Sequence, residues 1–123
     1  MIAALCVGAG GFCGAIARYL LGLLPYQGQF PLITFVINFT GAVVEAASIR
    51  PGMLPPNAVL FLKTGLCGGF TTFSTFSLET LGLLERGEYA IGGAYALGSL
   101  AACVLGVVAG KMLVRWALGA QAA

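Results

Sequence analysis

The chain has 123 residues, of which 59% are hydrophobic and only 8% are charged, with a formal net charge of +2. A typical soluble domain carries about 25% charged residues, so the composition predicts an integral membrane protein in contact with the lipid bilayer. The small net charge argues against nucleic acid as a partner, and the absence of histidine removes the commonest metal ligand. The length predicts a single domain over residues 1–123.

The first predicted transmembrane span covers residues 2–24. Gly10, Gly14 and Arg18 recur every four residues and therefore share one helix face. Small residues on one face let another helix approach closely. Arg18 falls near the end of the span, where its side chain can reach the membrane surface. A buried functional cation is the alternative.

The second predicted span covers residues 30–49 and places Thr34, Asn38, Gly41 and Glu45 on one face. Asn38 falls near the middle of an otherwise apolar segment. Polar side chains at this depth face the interior of a helix bundle or a water-filled cavity. Asn38 is therefore a candidate pore residue, and a hydrogen bond between helices is the alternative.

The third predicted span covers residues 57–84, about 42 Å of straight helix, which exceeds a hydrocarbon core of about 30 Å. Two adjacent glycines each cost about 1 kcal/mol in a helix interior relative to alanine, so we expect a break near Gly68–Thr72. A kink satisfied by its own hydroxyls is the alternative. Helical spacing places Phe73 with Phe76 on one face and Thr71 with Thr75 on another.

The fourth predicted span covers residues 89–113. One face of this span carries the polar residues Tyr95, Ser99 and Cys103. A neighbouring face carries the small residues Ala102, Gly106 and Gly110 and is a predicted packing face. Basic residues are only slightly more frequent on one side of the four spans, so the orientation stays open. Four short helices favour a homo-oligomer, and two-fold dimers are the commonest kind.

Three motifs resemble the CrcB/Fluc family of fluoride channels. They are GGFCGAIARY at residues 10–19, TFVINFTG at residues 34–41 and GLCGGFTTFSTFSLE at residues 65–79. The resemblance covers almost the whole chain. It implies an all-α integral membrane protein with four transmembrane helices, the third of them broken, assembled as an antiparallel, dual-topology homodimer. It also implies a multi-pass protein of the cell (inner) membrane that passively exports fluoride from the cytoplasm through two pores per dimer.

The same resemblance implies roles for individual residues. A structural Na⁺ on the dimer axis is expected on the backbone carbonyls of Gly68 and Thr71. Arg18 and Glu79 are expected to have vestibule or structural roles. The implied fluoride pore combines an asparagine, a phenylalanine pair and a track of hydroxyls, which are Asn38, Phe73, Phe76, Thr34, Thr75, Tyr95 and Ser99.

The chemistry of these residues agrees with the resemblance. Asparagine offers two N–H donors and each hydroxyl offers one, while aromatic ring edges are electropositive. Glu45 departs from the family pattern, because a carboxylate beside an anion path repels fluoride; we expect it in a wide vestibule or paired with Arg50 or Lys63. Cys103 is a second, milder departure, at a position that is often serine.

Two other functions remain open from the residues alone. A small four-helix proton-coupled multidrug-type transporter needs a deep carboxylate in its first span, whereas the candidates Glu45 and Glu79 lie elsewhere. A structural subunit that binds partner helices does not need the ordered polar residues. An enzyme is not expected, because the sequence shows no nucleophile–base pair and its four cysteines have no metal-binding spacing.

Overall fold

The structure is a computed structural model, described here for residues 1–121, and within that range it is helical without strands. Helix α1 is Ile2–Gly22, and α2 is Leu32–Ser48. Helix α3 begins as Pro56–Val59, continues as a π-helical stretch over Leu60–Cys67 and ends with Gly68–Phe70. Helix α4 is Phe73–Glu85, and α5 is Tyr89–Gln121.

The helix bounds agree with the predicted spans except at the end of the chain. Helices α1 and α2 end within two residues of the predicted limits, whereas α5 extends eight residues beyond residue 113. The predicted span ends at residue 113 because the charged residues Lys111 and Arg115 are interpreted as the end of the helix. Residues 114–118 contain neither glycine nor proline, so nothing in the local sequence ends the helix there.

The outer surface of the molecule is apolar. Ile2–Gly22 and Tyr89–Ala120 are long and apolar enough to cross a membrane, and Leu32–Ser48 is a shorter apolar helix. Large apolar side chains such as Phe12 and Leu97 are exposed, at 69% and 72%. Soluble monomers rarely expose continuous apolar surface of this extent. The distribution is that of a membrane protein.

Helix α1 packs against α3 with the two backbones in close contact. A Cβ added at Gly10 would overlap the carbonyl oxygen of Phe61, and one added at Gly65 would lie 2.6 Å from the carbonyl oxygen of Val7. Gly10 and Gly14 are both buried in this contact. The contact confirms the small-residue packing face predicted for the first span.

Helix α5 packs against α2 in the same way. A Cβ at Gly106 would lie 3.2 Å from the carbonyl oxygen of Phe39, and one at Gly110 would overlap the carbonyl oxygen of Val43. The packing face predicted at Gly106 and Gly110 is therefore confirmed. It brings α5 and α2 into close backbone contact at these two positions.

A tight turn places α5 beside α4. Gly87 has a φ of 77°, a left-handed conformation that favours glycine. Its N–H donates to the carbonyl of Leu84 at 3.0 Å, and the N–H of Glu88 donates to Leu83 at 2.9 Å. This pair of bonds is a Schellman motif, which ends α4 and reverses the chain.

Deeply buried side chains occur on each of α2, α4 and α5. Tyr95 is fully buried, Leu83 is 1% exposed and Ile37 is 3% exposed. The ring of Tyr95 packs edge-on against Phe30, with centroids 5.4 Å apart, and tilted against Phe76 at 5.2 Å. This cluster forms the rigid frame around the candidate site.

Candidate functional site

The site is built around two extended residues between α3 and α4. Thr71 has φ −74° and ψ 157°, and Thr72 has φ −151° and ψ 113°. Both conformations are extended, so the helix ends at Phe70 and a new helix begins at Phe73. The prediction that Thr71 and Thr75 share one helix face is therefore wrong, because Thr71 precedes the helix that contains Thr75.

Asn38 fastens this segment to α2 with two hydrogen bonds. Its Oδ1 accepts from the Thr72 N–H at 2.8 Å, and its Nδ2 donates to the Thr72 carbonyl at 3.2 Å. In a continuous helix the Thr72 N–H would donate to the carbonyl of Gly68. The bond to Asn38 leaves Gly68 without that donor. It also leaves Asn38 one amide hydrogen free to donate elsewhere.

Thr72 begins α4 as its N-cap residue. Its Oγ1 accepts from the N–H of Thr75 at 3.2 Å and donates to the Thr75 hydroxyl oxygen at 3.1 Å. Threonine is a favoured N-cap because its side chain satisfies an amide that the first helical turn cannot. The sequence pattern assigns no individual role to Thr72. The hydroxyl-rich run around the break was the signal that pointed to this position.

Arg18 reaches the same segment from α1. Its Nη1 donates to the Thr71 carbonyl over a long distance of 3.4 Å. The Thr71 hydroxyl donates in turn to the carbonyl of Cys67 at 2.8 Å. The guanidinium is half-buried, so Arg18 does not lie wholly at the surface, and it contacts the break itself.

Glu79 connects three helices through its two carboxylate oxygens. Oε1 accepts from the Thr34 hydroxyl at 2.9 Å, and Oε2 accepts from the Tyr95 hydroxyl at 2.6 Å. Thr34 is 6% exposed and Tyr95 is fully buried. Both hydroxyl hydrogens are engaged by the carboxylate, so in this arrangement neither is free to donate to an anion.

One cavity, which we call the asparagine cavity, has a volume of about 560 Å³. Its polar and aromatic lining comes from α2, the break, α4 and α5, and comprises Asn38, Glu45, Thr71, Thr72, Phe73, Phe76, Ser99 and Cys103. Ser99 is 6% exposed, and its hydroxyl has no hydrogen-bond partner among the described residues. The rings of Phe73 and Phe76 lie 5.5 Å apart. Two residues with an unused hydrogen-bond donor, Asn38 and Ser99, and two aromatic rings thus line one space.

A second cavity, the arginine cavity, has a volume of about 450 Å³ and lies on the other side of the break. Its polar lining is Arg18, Tyr19, Thr34, Thr72, Thr75 and Glu79. Thr72 lines both cavities. The predicted site residues are therefore divided between the two cavities except for Gly68 and Tyr95, which line neither. The buried Tyr95 ring packs against Phe76, and its hydroxyl donates to Glu79.

Glu45 lines the asparagine cavity without forming an ion pair. Within residues 1–121 the ion pair present is Arg86 with Glu88, at 3.2 Å. The suggested pairing of Glu45 with Arg50 or Lys63 is therefore not formed in the described part of the chain. The carboxylate shares its cavity with Asn38, as the helical spacing of the two residues indicates.

Comparison with known proteins identifies the family. Residues 5–111 match the family described as CrcB-like protein, Camphor Resistance (CrcB). The chain belongs to the CrcB-like family. This confirms the resemblance drawn from the three motifs, two of which, at residues 34–41 and 65–79, contribute to the asparagine cavity.

Relatives of this CrcB-like chain carry a common name. A protein named fluoride-specific ion channel FluC from Nitrobacter winogradskyi is 45% identical over 120 residues, covering 90% of this chain and 94% of the relative. One of the same name from Chlorobaculum tepidum is 43% identical over 117 residues, covering 90% and 93%. A third, from Ruminiclostridium cellulolyticum, is 42% identical over 122 residues, covering 94% of each.

Proposed function

We propose that this CrcB-like protein is a fluoride channel that lets fluoride leave the cytoplasm passively across the cell (inner) membrane, which the chain crosses several times. One observation carries the proposal: Asn38 and Ser99, which each keep an unused hydrogen-bond donor, line one cavity with the rings of Phe73 and Phe76. The names of the relatives support the choice of ion. The same family assignment agrees with the prediction that the chain is not an enzyme.

This lining suits a small, strongly hydrated anion. Fluoride needs hydrogen-bond donors to replace its water, and Asn38 and Ser99 supply them. The electropositive edges of Phe73 and Phe76 stabilise an anion without a full charge. Conduction requires sites that bind well enough for entry and weakly enough for release. No arginine or lysine lines this cavity among the described residues, which meets the second condition.

Within this proposal part of the hydroxyl track lies in the arginine cavity. Thr75 lies there with Thr34 and Glu79. Thr34 and Tyr95 would donate to fluoride only if the ion displaced their bonds to Glu79. We therefore assign the first contacts with the ion to Asn38, Ser99 and the two phenylalanines.

We propose that the functional unit is an antiparallel, dual-topology homodimer with two pores. The rim of the asparagine cavity is apolar and open in a single chain: Phe73 is 79% exposed, Leu97 is 72% and Leu100 is 65%. A pore for an anion must be closed off from lipid, and a second copy would close it. The weak charge asymmetry of the loops is compatible with insertion in both orientations.

The break is also a suitable place for the structural Na⁺ of the proposed dimer. Backbone carbonyls are suitable ligands for a hard cation. The carbonyl of Gly68 lacks its helical donor, and that of Thr71 has only the long contact with Arg18. Gly68 and Thr71 of two copies would supply four such oxygens. Bound there, Na⁺ would satisfy these carbonyls and raise the electrostatic potential near the pores.

Efflux from liposomes tests the proposed function. Purified protein reconstituted into vesicles loaded with potassium fluoride should release fluoride rapidly once a potassium ionophore balances the charge. Vesicles loaded with potassium chloride should release little, because chloride is larger and less strongly solvated. Equal release of both anions, or release of neither, would contradict a fluoride channel.

The sequence leaves one alternative function, a small proton-coupled multidrug-type transporter. Neither Glu45 nor Glu79 lies in the first span, where such a transporter requires its carboxylate. The family match and the relatives favour the channel. The transporter therefore remains only as an outcome that the Glu45→Gln variant would detect.

A further inference from the structure

A third cavity, which we call the basic cavity, lies where α2 ends against the distal part of α5. Its volume is about 370 Å³, within the range of about 300–1,000 Å³ usual for ligand clefts. Three cationic side chains and an apolar wall line it, namely Arg50, Lys111 and Arg115 with Ala46, Ile49, Pro51 and Val114. Half of the six basic residues of the chain therefore converge here.

No acidic side chain of the described residues 1–121 neutralises the positive charge of the basic cavity. Its lining contains no acidic residue, and Arg50, Lys111 and Arg115 are all exposed. Among residues 1–121 the ion pair formed is Arg86 with Glu88, at the turn between α4 and α5. Three like charges around one cavity repel one another, and an anion placed among them removes that repulsion.

The position of the basic cavity along α5 corresponds to the depth of lipid headgroups. Tyr89 begins α5 at the opposite end of the bundle, and 22 residues of helix carry the chain about 33 Å to Lys111. The hydrocarbon core of a bilayer is about 30 Å thick. With Tyr89 placed at one membrane interface, Lys111 and Arg115 lie just beyond the hydrocarbon on the other side. The neighbouring Trp116 is 76% exposed, as is common for tryptophan at the membrane interface.

We propose that the basic cavity binds the phosphate headgroup of an anionic membrane lipid. The three cations would surround the phosphate, and Ile49 and Val114 would contact the upper part of an acyl chain. Basic pockets between transmembrane helices at this depth recognise anionic headgroups by the same chemistry. A free phosphate ion would satisfy the cations but would leave the apolar wall unoccupied.

The end of α2 opposes an anion only weakly. The C-terminus of a helix carries about half a unit of negative charge, against three full positive charges at this cavity. The net potential in the cavity is therefore positive.

Thermal unfolding in a neutral detergent tests this proposal. The unfolding midpoint of the parent should rise as phosphatidylglycerol is added, and it should rise much less with phosphatidylcholine, which has a phosphate but no net charge. The apparent affinity for phosphatidylglycerol should weaken about fivefold in Lys111→Gln. It should weaken on the order of a hundredfold when Arg50→Gln and Arg115→Gln are added. Arg86→Gln, which removes a cation at the other end of the bundle, should behave like the parent.

Three outcomes would overturn the lipid site. One is equal stabilisation of the parent by the two lipids. Another is a response to phosphatidylglycerol in the triple variant as strong as in Arg86→Gln. The third is equal stabilisation by inorganic phosphate at the same concentration, which would make the cavity a site for free anions. If the triple variant fails to fold, native mass spectrometry of the parent decides, since it should retain phosphatidylglycerol and not phosphatidylcholine.

Discussion

Asn38 has two tasks in this structure, and they use different atoms of one amide. Its Oδ1 and one amide hydrogen hold the backbone of Thr72, and its second amide hydrogen is left for a ligand in the asparagine cavity. The two bonds to Thr72 also fix the orientation of the amide, since a rotated side chain would place N–H against N–H. A donor held in this way costs little reorganisation when an ion arrives. Substitution of Asn38 therefore affects both the break and the proposed pore, so the phenylalanines provide the cleaner test.

Phe73→Ile separates the electrostatic role of the ring from folding. Phe73 is 79% exposed in the single chain, so the change should alter the stability of the chain by less than about 1.5 kcal/mol. It removes the electropositive ring edge, and fluoride efflux from liposomes should fall at least tenfold while the protein elutes unchanged in size-exclusion chromatography. Phe12→Ile is the matched control, because Phe12 is 69% exposed on α1 and lies in neither site cavity. Parental efflux in Phe73→Ile would count against the proposed pore lining.

Glu45→Gln tests the one carboxylate in the asparagine cavity. A negative charge about 10 Å from an anion opposes it by roughly 1–2 kcal/mol at an effective dielectric constant of 20. Fluoride efflux should therefore rise by about fivefold to thirtyfold on neutralisation, as measured with a fluoride electrode. Glu85→Gln is the control, since Glu85 is exposed at the end of α4. Loss of pH-driven uptake of a cationic drug in Glu45→Gln, in a parent without fluoride efflux, would establish the transporter instead.

At the scale of elements, glycines decide how closely the helices pack. Helices α1 and α3 meet backbone to backbone at Gly10 and Gly65, which places Arg18, two turns further along α1, within reach of the Thr71 carbonyl. The π-helical stretch Leu60–Cys67 lies in this contact and leads directly to the break. Packing of α1 against α3 therefore positions one side of the candidate site.

Gly10→Ala should weaken this packing, whereas Gly8→Ala should not. A Cβ at position 10 overlaps the Phe61 carbonyl, and a Cβ at position 8 meets nothing within 4 Å. Overpacking typically costs about 1–3 kcal/mol, while alanine gains up to about 1 kcal/mol over glycine in a helix interior. Thermal unfolding in detergent should show a lower midpoint for Gly10→Ala and an equal or higher one for Gly8→Ala. The same midpoint in both variants would contradict the close approach of the two helices.

At the scale of the whole molecule, the single chain leaves the asparagine cavity open to one side. Two features of the single chain favour assembly with a second copy. One is the exposed apolar rim formed by Phe73, Leu97 and Leu100, and the other is the set of carbonyls at the break that have few hydrogen-bond donors. The proposed Na⁺ connects the two features, because carbonyls from two chains would share it. The antiparallel arrangement and the cation are thus parts of one proposal about assembly.

Removal of Na⁺ should destabilise the assembled protein. Replacing Na⁺ by N-methylglucamine should lower the unfolding midpoint and reduce fluoride efflux, because the carbonyls of Gly68 and Thr71 lose their ligand. Thr71→Val should keep this Na⁺ dependence, since it removes a hydroxyl bonded to Cys67 and leaves the carbonyl. Gly68→Pro should abolish assembly, because the ring removes the N–H that donates to Gly65. Identical stability and efflux in the two media would exclude a structural Na⁺.

The sequence by itself determined the helices, their packing faces and the family. Apolar length and composition predict long membrane helices, and glycines recurring every four residues predict the contacts that Gly10, Gly106 and Gly110 make. These features depend on local periodicity, which one chain displays in full. The same periodicity placed Glu45 and Asn38 on one face. The prediction from periodicity is wrong for Thr71 and Thr75, because helical spacing relates only residues of one continuous helix.

Only the tertiary structure decided which polar groups are free. Helical spacing shows the face on which Asn38, Thr34 and Tyr95 lie, but their partners are Thr72 and Glu79, between 16 and 45 residues away. The donors that remain unused are the Ser99 hydroxyl and one Asn38 amide hydrogen. The structure also places Thr34 and Thr75 in the arginine cavity and not in the asparagine cavity. A hydrogen bond is made over about 3 Å, so its partner depends on how the helices pack. The pattern within any one helix does not contain that information.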